Sequence, residues 1–127
     1  MRTACAVLSS LLVCGGAAMA ADDPRDAVAV DPEVHHVVLE NEHVRVFEGL
    51  AAPGATSPMH THPPFLLVSI DTARLKLTLP GGETAIVDLK PGQVIWLDGA
   101  EHAWELLAGR LHAIGVEVKA ARQGDED

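Results

Sequence analysis

Over residues 74–79 the chain alternates strictly, with Leu75, Leu77 and Leu79 on one parity and Arg74, Lys76 and Thr78 on the other. A period of two places the leucines on one face of a strand and the polar residues on the opposite face. That is the pattern of a half-buried β-strand, and it excludes an amphipathic helix over the same stretch. Pro80-Gly81-Gly82-Glu83 supplies turn residues, and residues 85–89 offer a second strand, so the pair reads as a hairpin. Comparable β-rich runs cover residues 34–39, 43–50, 65–70, 93–97, 102–107 and 110–118, with Pro53-Gly54, Lys90-Pro91-Gly92 and Asp98-Gly99-Ala100 as turns between them. No apolar run keeps a helical period for a useful length, and no internal repeat is present. The expectation is an all-β barrel or sandwich of about eight to ten short antiparallel strands, closed or double-layered so that its edges are protected.

A chain of 127 residues holds one such domain, and residues 1–20 read as a signal peptide. Arg2 gives a positive start, an apolar run follows, and Ala18-Met19-Ala20 offers small residues at both positions a signal peptidase reads. Both cysteines, Cys5 and Cys14, fall inside that leader, so the remainder has no thiol, which suits an oxidising compartment. A lipoprotein signal at Cys14 is the rival reading; it wants a small residue just before the cysteine, and Val13 stands there. The division expected is a leader over 1–20, a flexible, Pro-punctuated arm over 21–33, the barrel over 34–119 and an acidic tail over 120–127. The protein is expected to be periplasmic or secreted, and nothing after residue 20 approaches the roughly 20 apolar residues of a membrane helix. Without the leader, 8 of the 9 basic residues remain against 18 acidic ones, a side-chain balance of −10 that makes nucleic acid an improbable partner.

The chemistry concentrates on histidine. His60 and His62 lie two apart, so on a strand both imidazoles project to one face while Thr61 points away. Neutral imidazole is a good ligand for zinc, iron, copper or nickel. The pair alone is equally compatible with two polar side chains beside a loop. His102 opens the strand that follows the Asp98-Gly99-Ala100 turn, where a hairpin partner can bring it beside the pair, although spacing alone does not make them converge. His112, on the final strand, is a further imidazole, read here as locally hydrogen-bonded; His35, His36 and His43 read as structural or exposed.

These residues resemble the two motifs of the cupin superfamily. Gly54, His60 and His62 match the first, a glycine, five residues and then His-x-His; Gly92, Gly99 and His102 match the glycines and histidine of the second, with one residue fewer between the glycines and Leu97 where proline is common. The resemblance spans roughly residues 42–119. It is strongest to small single-domain cupins of the β-alanine degradation type, through His43-Val44-Arg45-Val46, the Val-x-Trp of Val94 and Trp96, and Val116-Glu117-Val118-Lys119. It implies a double-stranded β-helix, or jelly-roll, barrel and one divalent metal ion on His60, His62 and His102, with Fe, Zn, Mn, Ni and Cu not distinguished. Pairing into a homodimer through edge strands is implied as well.

The chain departs from that pattern twice. The glutamate that should follow His62 is missing from Pro63-Pro64-Phe65-Leu66-Leu67-Val68, and Leu106 stands where asparagine is expected. An ion held by three neutral ligands is a stronger Lewis acid with open positions.

Trp104 shares the parity of His102 and is expected to wall a ligand pocket, with Phe65 and Met59 as further large residues near the site. Trp96 reads as barrel core. Arg45 either meets a substrate carboxylate or makes a salt bridge with Glu48 or Glu117, the salt bridge being preferred. Glu105 turns to the face opposite His102. The functional expectation is a metal-dependent enzyme, dioxygenase-like or isomerase/hydrolase-like, acting on a small organic acid bound directly to the metal. The alternatives are a non-catalytic cupin that binds a metal or small ligand, and a barrel kept for dimerisation.

Overall fold

The computed structural model describes residues 23–120. The expected leader and all but the first residue of the acidic tail therefore lie outside the described residues. The described chain forms a four-residue helix, α1 (Ala27–Val30), and nine strands: β1 (His35–Glu40), β2 (Val44–Ala51), β3 (Thr56–His62), β4 (Phe65–Ser69), β5 (Ala73–Thr78), β6 (Thr84–Leu89), β7 (Val94–Leu97), β8 (Ala100–Gly109) and β9 (Leu111–Val118).

All strand pairing is antiparallel, in one five-stranded sheet ordered β1-β2-β9-β4-β7 and one four-stranded sheet ordered β3-β8-β5-β6. The all-β expectation holds, and the strand count falls within its range. The alternation in β5 does what its period requires: Ala73 and Leu75 are buried while Arg74 and Lys76 are exposed. Its hairpin with β6 pairs Arg74 with Asp88, and Leu79 N–H closes the turn on the Glu83 carbonyl. Leu75, Leu89, Trp104, Leu106, Leu111 and Ala113 form the core between the sheets.

Two local features set the geometry of the site. In β3 the register against β8 slips between Ser57 and His60, so three steps on β3 answer two on β8. This bulge, at Pro58 on an edge strand where a missing N–H is tolerated, brings Ser57, His60 and His62 all to the inside. In β9, Gly115 leaves room for an aromatic ring: a Cβ there would stand 2.2 Å from the Phe47 ring. Phe47 uses that space to press against His35 and His62, with ring centroids 5.2 and 5.5 Å away.

The segment before β1 departs from the expectation of a flexible arm. Its described part is docked on the barrel: Thr61 N–H donates to the Arg25 carbonyl at 2.7 Å, Asp26 forms a parallel bridge with Thr61, and Asp26 and Ala27 are 1% and 0% exposed. Asp26 also caps α1 by accepting from Val28 N–H. Polarity misled here because the buried carboxylate has a charged partner inside the fold. No helix among the described residues is long and apolar enough to cross a membrane.

Candidate metal centre

Four imidazoles meet inside the barrel. His60 and His102 are direct partners across the β3–β8 ladder, with ring centroids 4.8 Å apart, and His62 stands 5.0 Å from His60 and 5.5 Å from His102. The expected trio is therefore gathered in one place. His35 joins it from the start of β1, 5.0 Å from the His60 ring and 5.6 Å from the His62 ring. Of the two sequence readings of His35, structural or exposed, the structure excludes the second. His35 is buried, because Phe47 and the docked arm cover the end of β1 that carries it.

One ring nitrogen from each of His35, His60 and His62 lies within 4.8 Å of the other two. Nitrogens that share an ion at about 2.0–2.1 Å stand ~3.3 Å apart, so an ion bound here would draw the three rings closer together. The hydrogen bonds show which nitrogens are free. His60 Nδ1 donates to the Pro58 carbonyl at 2.7 Å, His35 Nδ1 to the Asp31 carbonyl at 3.1 Å and His62 Nδ1 to the Glu117 carboxylate at 2.9 Å. A carbonyl and an ionised carboxylate only accept, so each Nδ1 carries the proton and each Nε2 keeps its lone pair. Among the described residues His60 Nε2 is buried with no hydrogen-bond partner. An unsatisfied buried acceptor costs about 1–3 kcal/mol, and a cation is a partner that its lone pair fits.

Burial holds all four rings neutral. It lowers His35 and His60, and it pushes His62 down to about 2 and His102 down to about 3, with neighbouring histidines adding to the effect in the last two. The ligands are thus in their metal-binding form across the physiological range without proton release.

Behind the histidines stand carboxylates. Glu117, 1% exposed, accepts from His62 and from Arg45 Nε at 2.7 Å, and Arg45 Nη2 donates to Asp26 at 2.6 Å. Burial raises the Glu117 pKa, and Arg45 pulls it back. Ser57 Oγ, 3.3 Å from His60 Nδ1, donates to Asp31 Oδ2 at 2.6 Å. Such partners orient metal-binding imidazoles and raise their basicity. Leu67, within the stretch where the glutamate is missing, lines an apolar cavity beside His35, His62 and His102. Negative charge reaches the site from behind the rings, through Glu117 and Asp31.

The other expected site residues divide. Trp104 and Phe65 line the cavity, and Phe65 stacks on His62 with centroids 4.4 Å apart. Met59 does not line it; next to His60 on β3, it is turned the other way by strand parity. Arg45 is a buried salt-bridge residue, as preferred, paired with Glu117 and also with Asp26, and it is absent from the cavity wall. Trp96, expected in the core, is 52% exposed on edge strand β7, with Nε1 donating to Asp98 at 2.7 Å. His112 is bound locally to Glu48 at 2.8 Å, and Glu105 is exposed.

The fold has close counterparts among solved structures. A cupin domain of Bordetella pertussis Tohama I is similar at 26% identity over 68% of this chain and 93% of that one, with a TM-score of 0.62. The chain belongs to the cupin superfamily. An RmlC-like cupin of Methanocaldococcus jannaschii with a double-stranded β-helix fold has 19% identity, coverage of 68% and 79%, and a TM-score of 0.56. A cupin superfamily protein of Desulfitobacterium hafniense DCB-2 has 13% identity, coverage of 66% and 74%, and a TM-score of 0.51. No family model and no curated protein matches the chain, and these cupin structures do not single out the β-alanine degradation type.

Proposed function

We propose that this cupin binds one divalent metal ion on His35, His60 and His62, with His102 beside them as a fourth imidazole, and acts on a small organic molecule held in the adjoining cavity. The observation that carries this reading is the convergence of three imidazoles whose Nδ1 atoms are tied back and whose Nε2 atoms are left free, one of them buried without a partner. A neutral nitrogen set suits zinc, iron, copper or nickel. An ion so held supplies a Lewis acid with positions open to a ligand.

The residues of the chain position rather than transfer protons. Glu117 and the Pro58 carbonyl hold His62 and His60 in one tautomer and orientation. Phe65 and Phe47 stack on or wedge against His62 and keep water from that side. Among the described residues no Asp, Glu, Lys or Arg lines the cavity, so an organic acid would be recognised there only through coordination of its carboxylate. That absence favours a second reading, a non-catalytic binding cupin. Export through the leader, and pairing of two copies along β1, an edge strand with exposed Val37, Val38 and Leu39, belong to the same proposal.

Elemental analysis of untagged protein tests the metal reading: about one ion per chain is expected, lost in His60→Ala. Absence of metal from the wild type, under any of the four cations offered, sinks it. With metal bound, turnover of a panel of small oxygenated compounds supports the enzyme, and saturable binding without turnover supports the binding module. Light scattering reads the pairing.

A further inference from the structure

The cavity next to the histidines has a volume of about 160 Å³, and its wall is formed by Phe47, Phe65, Leu75, Leu89, Trp104 and other aliphatic side chains, with His35, His62 and His102 as its polar contribution. An apolar cavity of about 150 Å³ accommodates a benzene-sized molecule. A charged or polyhydroxylated ligand would leave its hydration behind and meet no compensating group, at a cost of several kcal/mol. Arg45, the one buried arginine among the described residues, is turned to Asp26 and Glu117, and the remaining described cations lie off the cavity wall.

We propose that the cavity takes a compact, hydrocarbon-bodied molecule of about six to eight heavy atoms with a single oxygen donor, its ring or branched chain between Phe47, Phe65 and Trp104 and its oxygen at the histidine end. Polar sugars and dicarboxylates are excluded by the same wall. The body of the ligand is selected by the cavity alone, whereas the role of the oxygen rests on the metal reading above.

The test uses the full chain and ligand-observed NMR, with toluene, benzyl alcohol and cyclohexanone set against succinate and glucose. In metal-free protein the first three are expected to bind saturably and the last two not. Ala113→Leu and Leu77→Phe, which both enlarge side chains on the cavity wall, are each expected to weaken that binding at least tenfold; whichever folds decides. Binding by none of the three, preference for succinate, or undiminished binding in folded variants of both kinds overturns the proposal. In zinc-loaded protein benzyl alcohol is expected to bind at least tenfold more tightly than toluene. Equal affinities with zinc bound would refute the oxygen's place, while failure to take up zinc, iron, copper or nickel would refute the metal reading and leave the metal-free result standing.

Discussion

His62 Nδ1 lies 2.9 Å from Glu117 Oε2, and Glu117 is itself fixed by Arg45 directly opposite it on the β2–β9 ladder. One carboxylate thus sets the tautomer of an inward histidine and neutralises a buried guanidinium. Glu117→Gln keeps the shape and removes the charge. Metal affinity is expected to fall 10- to 100-fold, read by competition with a chromophoric chelator. Arg45→Leu leaves both Asp26 and Glu117 buried without a counter-charge and is expected to destabilise the fold by about 3–5 kcal/mol in urea denaturation.

The proposed metal site differs from the motif-based one in His35. His35→Ala is expected to reduce the metal content of purified protein as severely as His60→Ala, whereas His112→Ala, which alters only the contact with Glu48, leaves it unchanged. Full metal content in His35→Ala would return the site to His60, His62 and His102.

Gly115 is a steric requirement rather than a conformational one. In Gly115→Ala the new methyl would stand 2.2 Å from Phe47, so the ring must shift and its packing on His62 and His35 must change. Overpacking of this kind costs about 1–3 kcal/mol, and the expected loss in thermal or chemical stability should be accompanied by weaker metal binding.

The metal-free protein is expected to lose stability on acidification from neutral pH. The folded-state pKa values of His62 and His102 lie at about 2 and about 3, below the 6.5 of an unperturbed imidazole, and those of His35 and His60 are lowered too. Between 6.5 and those values the unfolded chain binds protons that the folded chain refuses, so stability falls as pH falls, by about 1.4 kcal/mol per pH unit for each fully refusing histidine. Glu117, raised by burial, has the opposite slope just above 4.5, but one carboxyl opposes four imidazoles. Urea midpoints between pH 7 and 4 measure the slope, and bound metal is expected to shift the loss to lower pH.

What the sequence makes legible is periodic or tied to a motif. The β5–β6 hairpin follows from leucines at every second position, and His60, His62 and His102 follow from their spacing against glycine turns. His35 carries no such signal: β1 buries only its first residue, and the partners that bury it come from β2 and the preceding segment. The docked arm was unreadable for a related reason. Asp26 and Asp31 are acidic residues in an alanine- and proline-rich stretch, and only the meeting with Arg45 and Ser57 buries the first and half-buries the second. Trp96 failed in the opposite sense, since a large aromatic on an edge strand satisfies its N–H locally and stays outside.

The bonds that hold the site in place join residues far apart along the chain: 72 positions separate Arg45 from Glu117, 55 separate His62 from Glu117, and 26 separate Ser57 from Asp31. Closing loops of that length is the slow, entropically opposed part of forming a β-barrel. An ion that depends on all of these bonds would bind only after the barrel has closed. The proposed metal uptake, followed during refolding, is therefore expected to trail the burial of Arg45, Glu117 and Asp26.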